Sequence, residues 1–324
     1  MKATIEAISY YLPEKTLNNH DLSAEFPEWS VEKITDKIGI ENRHIAAENE
    51  TSVDLAFKAA EQLFTENNID KSAINYVILC TQSPDYFLPT SACLVHEKLG
   101  LPKTAGALDI NQGCSGYVYG LSLAKGLVSA GICENVLLIT AETYSKFIHK
   151  SDKSNRTIFG DGATASLISP NGSLEVKDFV FGSDGSGAED LIVKNGAAKN
   201  EITTDKDHDP DNHLYMNGSN VFNFTLKNVP VLVKSVLKKN ELEKDAIDHF
   251  IFHQANSFML DTMRRVCKID KEKFHNDMKQ TGNTVSSTIP IVLKGKSFAT
   301  GDKVLLAGFG VGYSWAACVL EKIG

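Results

Sequence analysis

The chain has 324 residues, of which 42% are hydrophobic and 23% are charged, and its formal net charge is −8. These values are typical of a globular protein with a large core, and they exclude a disordered or fibrous chain. The acidic balance disfavours nucleic acid or an anionic membrane as the main partner.

The N-terminus lacks the apolar core and the cleavage pattern of a signal peptide. The most apolar late stretch, residues 305–320, is shorter than the ~20 residues of a membrane span. Six cysteines without a Cys-x-x-Cys pair are too few for a disulfide scaffold. We therefore expect a reduced, soluble, cytoplasmic protein.

Helices and buried strands alternate along the chain. Apolar residues recur at helical spacing over 53–64 and again over 229–237. Continuous apolar runs predict four buried strands: Tyr76–Leu79, Val136–Thr140, Phe250–Phe252 and Val304–Ala307. This alternation predicts an α/β fold whose sheets are mixed, largely parallel and covered by helices.

The two halves of the chain resemble each other. Two pairs of segments match in the same order, at an offset of about half the chain: 73–80 with 246–253, and 135–139 with 303–307. The turn signal Pro170-Asn171-Gly172 lies between the two copies. We expect a duplicated chain with halves at 1–170 and 171–324.

Cys114 follows the apolar pair Leu108 and Ile110, and a helical pattern begins after it at Val118. It is therefore predicted at a strand-to-helix turn, where free amides and the helix dipole favour a thiolate. The neighbouring glycines leave room for a substrate carbonyl. A buried, inert cysteine is the competing interpretation, because free cysteine is often buried.

His253 directly follows the strand Phe250–Phe252 and occupies the place that Cys80 holds in the first half. Reactive groups collect at the carboxyl ends of strands in α/β folds, although a core histidine is an equally simple interpretation.

Asn283 lies in a Gly-Asn-Thr segment that is also typical of a turn or helix cap. Its amide can donate a hydrogen bond to an oxygen that gains negative charge. The glycine loop that contains Gly310 and Val311 supplies backbone N–H groups for an oxyanion hole.

The segments around Cys114, His253 and Asn283 resemble, in this order, the thiolase superfamily. They are most similar to the ketoacyl-acyl-carrier-protein synthase III family. Four motifs carry the resemblance: His253–Asn256, Gly282–Thr284, Phe159–Ala163 and Gly310–Gly312. The similarity runs over almost the whole chain. It implies a duplicated five-layer α/β fold, in agreement with the internal repeat.

The resemblance implies a condensing enzyme. Cys114 would take an acyl group from acyl-CoA or an acyl carrier protein, and a malonyl-thioester on the carrier protein would lose carbon dioxide and attack it. His253 and Asn283 would stabilise the enolate, while the backbone at Gly310 and Val311 would hold the acyl oxyanion. No metal and no cofactor are needed. The apolar segment Tyr86–Pro89 predicts a homodimer.

The resemblance also implies a set of substrate-binding residues: Trp29, Lys37, Leu88, Arg156, Ser219, Phe222 and Ala255. Lys37 replaces the usual arginine, and Leu88 replaces a phenylalanine with which the neighbouring subunit gates the acyl pocket. The acyl chain can therefore differ from the usual one. Gln82 stands where hydroxymethylglutaryl-CoA synthases carry a glutamate, which argues against that activity because an amide cannot shuttle the proton.

Two further motifs are weak. Residues 160–165 fit a loose dinucleotide-binding fingerprint, but a strand pattern follows where a helix is required. The acidic, histidine-containing run 205–213 could hold a metal, yet such runs are mostly solvated loops, so we expect no metal site.

Two alternatives to condensation stay open. The same three residues could transfer the acyl group to a hydroxyl or an amine without decarboxylation. A non-catalytic partner subunit is disfavoured, because Cys114, His253 and Asn283 are all present. The acyl chain, its donor and the pathway, whether fatty-acid initiation or secondary metabolism, are left open.

Overall fold

The computed structural model describes residues 1–205 and 208–324. Within these ranges the strands are β1 (Thr4–Tyr11), β2 (Thr16–Asn18), β3 (Asn42–His44), β4 (Tyr76–Cys80), β5 (Gly106–Ile110), β6 (Val136–Glu142), β7 (Gly162–Ser169), β8 (Leu174–Ser183), β9 (Leu191–Ile192), β10 (Tyr215–Met216), β11 (His249–Phe252), β12 (Lys303–Gly310) and β13 (Ser314–Lys322). The α-helices are α1 (Asn19–Glu25), α2 (Val31–Ile38), α3 (Ser52–Asn67), α4 (Ser91–Leu99), α5 (Gly116–Ser129), α6 (Lys153–Arg156), α7 (Gly218–Lys239), α8 (Ser257–Val266) and α9 (Thr288–Lys294). Short 3-10 helices lie at Lys71–Ala73, Tyr144–Phe147, Gly185–Asp190, Pro210–Asn212, Lys244–Ala246, Lys271–Lys273 and Val285–Ser287. None of the helices in these ranges is long and apolar enough to cross a membrane.

Nine of the described strands form one sheet in the order β11-β12-β13-β8-β1-β7-β6-β4-β5. Strand β4 is parallel to β5 and to β6, and β11 is parallel to β12. The other neighbouring pairs are antiparallel. The α/β class and the mixed sheet are confirmed, but parallel pairing has a smaller share than we expected. The reason is that a strand buried on both faces has the same continuous apolar sequence in either kind of pairing.

The strand order is the same on both sides of the junction between β1 and β8. One side is β5-β4-β6-β7-β1. On the other side, a parallel bridge joins Phe250 of β11 to Phe274, so that the order is Phe274-β11-β12-β13-β8. The relative strand directions also match. This topology confirms the duplication that the sequence repeat predicted.

Helices α5 and α9 lie between the two sides of the sheet. Their apolar residues, such as Val118 and Val292, share one core cluster with Ile78 of β4 and Ile251 of β11. Helices α3 and α4 cover the outer face of the N-terminal strands, and α7 and α8 cover that of the C-terminal strands. The result is the five-layer arrangement implied by the resemblance.

The carboxyl ends of the parallel strands meet at the centre of the molecule. Gly308 of β12 lies so close to Ser115 that a Cβ at position 308 would be 2.7 Å from the Cα of Ser115. This approach brings the strand ends of both halves together, which is where α/β folds place their functional sites.

Residues 166–168 lie in a strand, as the sequence predicted, and this strand, β7, already begins at Gly162. Residues 160–165 are therefore not followed by the helix that dinucleotide binding requires. Asp161 instead joins loops, since its carboxylate accepts hydrogen bonds from the backbone N–H of Ala46 at 2.8 Å and of Ser145 at 2.9 Å. Within the run 205–213, residues 206 and 207 lie outside the described residues. The described residues contain no group of three or more histidine, cysteine or acidic side chains placed to hold a metal ion.

Candidate active site

Cys114 lies in the turn between β5 and α5, as predicted, and only 7% of the residue is exposed. Ser115, the N-cap of α5, makes no side-chain capping hydrogen bond, so the first amides of the helix stay available. A Cβ at Gly310 would lie 2.9 Å from the Cβ and 3.0 Å from the Sγ of Cys114. Only glycine permits this approach, and Val311 packs beside it against Gly113. The structure therefore brings the predicted oxyanion loop to the predicted nucleophile.

The thiol of Cys114 is protonated in the free protein. Burial, reinforced by the negative charge of Glu142, raises its pKa to about 12, although a backbone hydrogen bond acts in the opposite direction. This differs from our expectation of a thiolate. The helix terminus favours a thiolate, but desolvation of the sulfur favours the neutral thiol and is the larger effect here.

Glu142 ends β6 and is buried close to Cys114. Its carboxyl group accepts hydrogen bonds from the backbone N–H of Gln82 at 3.0 Å and from the hydroxyl of Ser83 at 2.8 Å. Burial raises its pKa to about 8, so the group is mostly neutral at pH 7. Our sequence analysis missed this residue. The available signal was an acidic residue at the carboxyl end of an apolar strand.

Mostly apolar side chains surround the cysteine. The buried members of this cluster, besides Cys114, are Tyr144, Phe159, Leu191, Leu214 and Val285. The rings of Tyr144 and Phe159 are tilted, with centroids 5.3 Å apart. The Tyr144 hydroxyl donates a hydrogen bond of 2.5 Å to Oε1 of Gln82. One polar pair therefore lies among the apolar walls of the site.

His253 lies directly after β11 and is 2% exposed. Its Nδ1 is 2.8 Å from the Thr288 hydroxyl oxygen, and that hydroxyl is also 3.1 Å from the carbonyl oxygen of Val285. Burial lowers the pKa of the imidazole to about 3, despite a hydrogen bond to the Val285 backbone. The histidine is therefore neutral and has a fixed ring orientation. Thr288 was given no role on the sequence alone.

Asn283 is 4% exposed, and its side-chain oxygen accepts a hydrogen bond of 2.9 Å from the backbone N–H of Val285. Its own backbone N–H donates to Ile158 at 2.9 Å, which anchors the residue to the segment before Phe159. Because the amide oxygen is engaged, the amide NH2 group is the part left to donate to a substrate. The turn or cap interpretation is thus compatible with a functional one.

Val285 connects the three predicted residues. It packs in the cluster with Cys114, donates to Asn283 and accepts from Thr288, the partner of His253. Its φ is +55°, in the left-handed region that a β-branched residue rarely adopts. Such strain is found mainly at functional sites, where surrounding contacts hold it in place. The sequence gives no sign of it.

Three of the predicted substrate-binding residues lie near one another on the surface. Trp29 precedes α2, Lys37 lies in the last turn of α2, and Arg156 ends α6. The Lys37 ammonium is 5.5 Å from the centroid of the Trp29 ring. Arg156 is paired with Glu25 through both terminal nitrogens, with Nη2 at 3.0 Å from Oε1. Arg156 is separated by one residue from Ile158, which anchors Asn283. This cationic and aromatic patch therefore lies next to the site.

Of the other predicted contacts, Ala255 follows His253, and its N–H donates to the His253 carbonyl at 3.1 Å. Ser219 and Phe222 lie in the first turns of α7, where the Phe222 ring stacks on Phe258 at 5.6 Å. Leu88 is not brought into the site within this chain, because it is 82% exposed on the loop after β4.

The fold is duplicated and has five layers, and a buried cysteine, a neutral histidine and a fixed asparagine amide meet at its central strand ends. This combination is that of thiolase-type condensing enzymes. Comparison with known proteins narrows this class. A family model described as 3-oxoacyl-[acyl-carrier-protein (ACP)] synthase III matches residues 108–185, and the model of its C-terminal region matches residues 237–322.

A beta-ketoacyl-[acyl-carrier-protein] synthase III of Chlamydia caviae is 34% identical over 328 residues, covering 99% of this chain and 97% of the relative. A crystal structure of a 3-oxoacyl-(acyl-carrier-protein) synthase III is 48% identical, with a TM-score of 0.95 over 99% of this chain and 100% of the other. The crystal structure of a 3-oxoacyl-(acyl-carrier protein) synthase from Burkholderia xenovorans is 32% identical, with a TM-score of 0.91, and the match covers 100% of this chain and 95% of the other. The chain belongs to the 3-oxoacyl-[acyl-carrier-protein] synthase III family. It is a condensing enzyme.

Proposed function

We propose that the protein catalyses a decarboxylative condensation in which Cys114 first takes an acyl group from acyl-CoA or an acyl carrier protein. Malonyl-acyl carrier protein then supplies two carbons and releases carbon dioxide, and the product is a 3-oxoacyl thioester. The observation that carries this proposal is the convergence of His253 and Asn283, two neutral and fixed polar groups, on the site of a buried cysteine. Such a product is typical of fatty acid biosynthesis.

In the first step the sulfur of Cys114 attacks the carbonyl carbon of the incoming thioester. The thiol proton leaves, and the displaced thiol takes one up, so that the protein carries a new thioester. The oxyanion formed on the way can be held by backbone N–H groups at Cys114 and Gly310, since these two residues lie in contact.

In the second step the malonyl group loses carbon dioxide, and the electron pair remains on its α-carbon and thioester oxygen. The Asn283 NH2 group is free to donate to that oxygen because its own oxygen is engaged with Val285. A neutral His253 can donate from Nε2 in the tautomer whose Nδ1 accepts a hydrogen bond. In that tautomer the Thr288 hydroxyl turns its single proton from the Val285 carbonyl to Nδ1. The enolate then attacks the acyl carbonyl and frees Cys114. The reaction requires neither a metal nor a redox cofactor, because decarboxylation itself generates the nucleophile.

We propose that the surface patch of Trp29, Lys37 and Arg156 contacts the carrier of the acyl group. A second group of residues lines the entrance to the site. That group comprises Ser219, Phe222 and Ala255. Lys37 provides positive charge for a phosphate-containing carrier, and Arg156 adds to it when a phosphate displaces the Glu25 carboxylate.

We further propose a homodimer in which Leu88 of each chain completes the site of the other. Phe87 and Leu88 are 83% and 82% exposed, and such apolar surface usually marks an interface. The boundary between the halves, 1–170 and 171–324, is supported by the matching strand order. The six unpaired cysteines are in keeping with a reducing cytoplasm.

The experiment separates the two steps. The protein is incubated with a panel of acyl-CoA thioesters, and acyl loading on Cys114 is measured by mass spectrometry of the intact chain and its peptides. A chase with malonyl-acyl carrier protein then measures carbon dioxide release and the 3-oxoacyl product. Loading followed by release without carbon dioxide would instead establish simple acyl transfer, the alternative that the family comparisons do not favour.

A further inference from the structure

The hydrogen bond between Gln82 and Tyr144, here called the Gln82–Tyr144 pair, places polar atoms directly beside the reactive cysteine. The amide oxygen of Gln82 would lie 2.7 Å from a Cβ built on Gly113, the residue that precedes Cys114. Tyr144 belongs to the same buried cluster as Cys114. The pair is therefore part of the wall that an acyl group on the sulfur would touch.

The pair is held rigidly. The backbone N–H of Gln82 donates to the Glu142 carboxyl at 3.0 Å, and the Gln82 side-chain oxygen accepts from Tyr144 at 2.5 Å. Phe147 and Phe159 confine the Tyr144 ring, with centroids 6.0 Å and 5.3 Å away. A long acyl chain cannot displace the pair without breaking these contacts.

The pair also has an unused hydrogen-bonding capacity. The Gln82 oxygen is engaged, and none of the described residues accepts a hydrogen bond from its NH2 group. Gln82 is only half-buried, so this group can meet a ligand that fills the site. Glu142 beneath it is mostly neutral at pH 7 and does not repel an electron-rich substituent.

We propose that the Gln82–Tyr144 pair makes Cys114 selective for short acyl groups that carry a hydrogen-bond-accepting oxygen, such as 3-oxoacyl or 3-hydroxyacyl groups, over plain alkyl chains. The inference rests on the proposed function, because it assumes that Cys114 is acylated. An alkyl chain packed against Gln82 would deprive the NH2 group of water without replacing it, whereas a substituent oxygen accepts its hydrogen bond. The thioester exchange is the same for both, with acyl transferred to sulfur and free CoA released.

The test compares three acyl groups of four carbons, which differ only at C3, and one longer acyl group. Initial rates of Cys114 loading are measured by mass spectrometry with acetoacetyl-CoA, 3-hydroxybutyryl-CoA, butyryl-CoA and octanoyl-CoA. We expect the two oxygenated groups to load about tenfold faster than butyryl, the effect of one hydrogen bond, and octanoyl to load slowest.

The matched variant is the double substitution Gln82→Leu with Tyr144→Phe. It removes both partners at once, so no buried polar group is left unpaired and the fold should be retained. Circular dichroism and thermal unfolding verify this. The single Tyr144→Phe variant keeps the Gln82 amide and should keep the preference for oxygenated groups, whereas the double variant should lose it and accept butyryl and octanoyl faster.

Equal loading of butyryl and acetoacetyl by the wild-type protein, or an unchanged preference in the double variant, would overturn the inference and leave the proposed function intact. Absence of loading by every thioester on Cys114 would overturn the proposed function and the inference with it. Selective loading that the double variant abolishes supports both.

Discussion

The two halves of the molecule place different chemistry at equivalent positions. Cys80 ends β4, and His253 follows β11, in matching copies of the repeat. The Cys80 thiol donates to the Gln112 carbonyl at 3.1 Å, and burial raises its pKa, so it is an inert core residue. In the N-terminal half the cysteine that we propose as the nucleophile is instead Cys114, in the turn after the neighbouring strand β5.

The two halves differ in the protonation behaviour of the groups that they place at the site. The N-terminal half contributes Cys114 and Glu142, acids whose pKa values burial raises to about 12 and about 8. The C-terminal half contributes His253 and Asn283, groups that are neutral and held by hydrogen bonds to Thr288 and to the Val285 backbone. We therefore propose that the N-terminal half forms and breaks bonds, while the C-terminal half provides fixed dipoles for charge that develops during the reaction.

The largest effect is expected from removal of the nucleophile. Cys114→Ala should abolish acyl loading and condensation, because the Cys114 sulfur is the one that lies against Gly310 of the proposed oxyanion loop in the described part of the chain. Cys80→Ala is the matched control, and it should load acyl groups at close to the wild-type rate. Both are measured by the mass of the intact chain after incubation with acyl-CoA. A persistent mass shift in Cys114→Ala, or one that maps to Cys80, would break the comparison between the halves.

Asn283→Ala is expected to separate the two steps. It removes the amide donor, and loss of one such donor typically slows a reaction by about 10²–10³. Acyl loading should continue, because it depends on Cys114 and the glycine loop, so the acyl-enzyme should accumulate. Carbon dioxide release from malonyl-acyl carrier protein measures the loss.

The control for that variant is Asn283→Asp, which keeps an oxygen to accept from the Val285 N–H but lacks the donor. It should fold like the wild type and condense as poorly as the alanine variant. Condensation at the wild-type rate in either variant would contradict the enolate role and favour simple acyl transfer.

The fold could be predicted well because continuous apolar runs mark buried strands and because the same pattern occurs in both halves of the chain. Four apolar runs became strands β4, β6, β11 and β12, and the repeat matched a repeated strand order. It could not give the pairing directions, since a doubly buried strand has no alternation. Cys114, His253 and Asn283 were predicted as site residues because strand ends, glycines and family motifs coincide there, and the structure places all three around Val285.

The parts of the site that the sequence did not predict depend on distant contacts. Glu142 acts on Cys114 only because β6 and the turn after β5 meet across β4. The left-handed backbone of Val285 is set by its surroundings and not by the preference of valine. The protonated state of Cys114 follows from desolvation, which only the packed structure reveals.

A smaller effect is expected from Thr288, which we predict to be a positioning residue for His253. Thr288→Val keeps the shape but removes the hydroxyl that lies 2.8 Å from Nδ1. Condensation should slow by about tenfold, the value of one hydrogen bond, while acyl loading changes less. Thr288→Ser should restore the rate, because it restores the hydroxyl. An equal loss of loading and condensation, or no rescue by serine, would indicate a purely structural role.

The smallest effect is expected from Glu142→Gln and appears only as a change with pH. In the folded protein burial raises the pKa of this carboxyl from 4.5 to about 8. Between these values the folded protein holds a proton that the unfolded chain has released, so this group makes stability fall as pH rises through the window. The variant cannot titrate, and its melting temperature relative to the wild type should therefore increase from about pH 5 to about pH 8.5.

Above pH 8 the ionised Glu142 also raises the pKa of Cys114, so iodoacetamide should modify Cys114 faster in the variant. Parallel melting curves across the pH range, together with equal alkylation rates, would show that the buried acid does not control the protons of the N-terminal half.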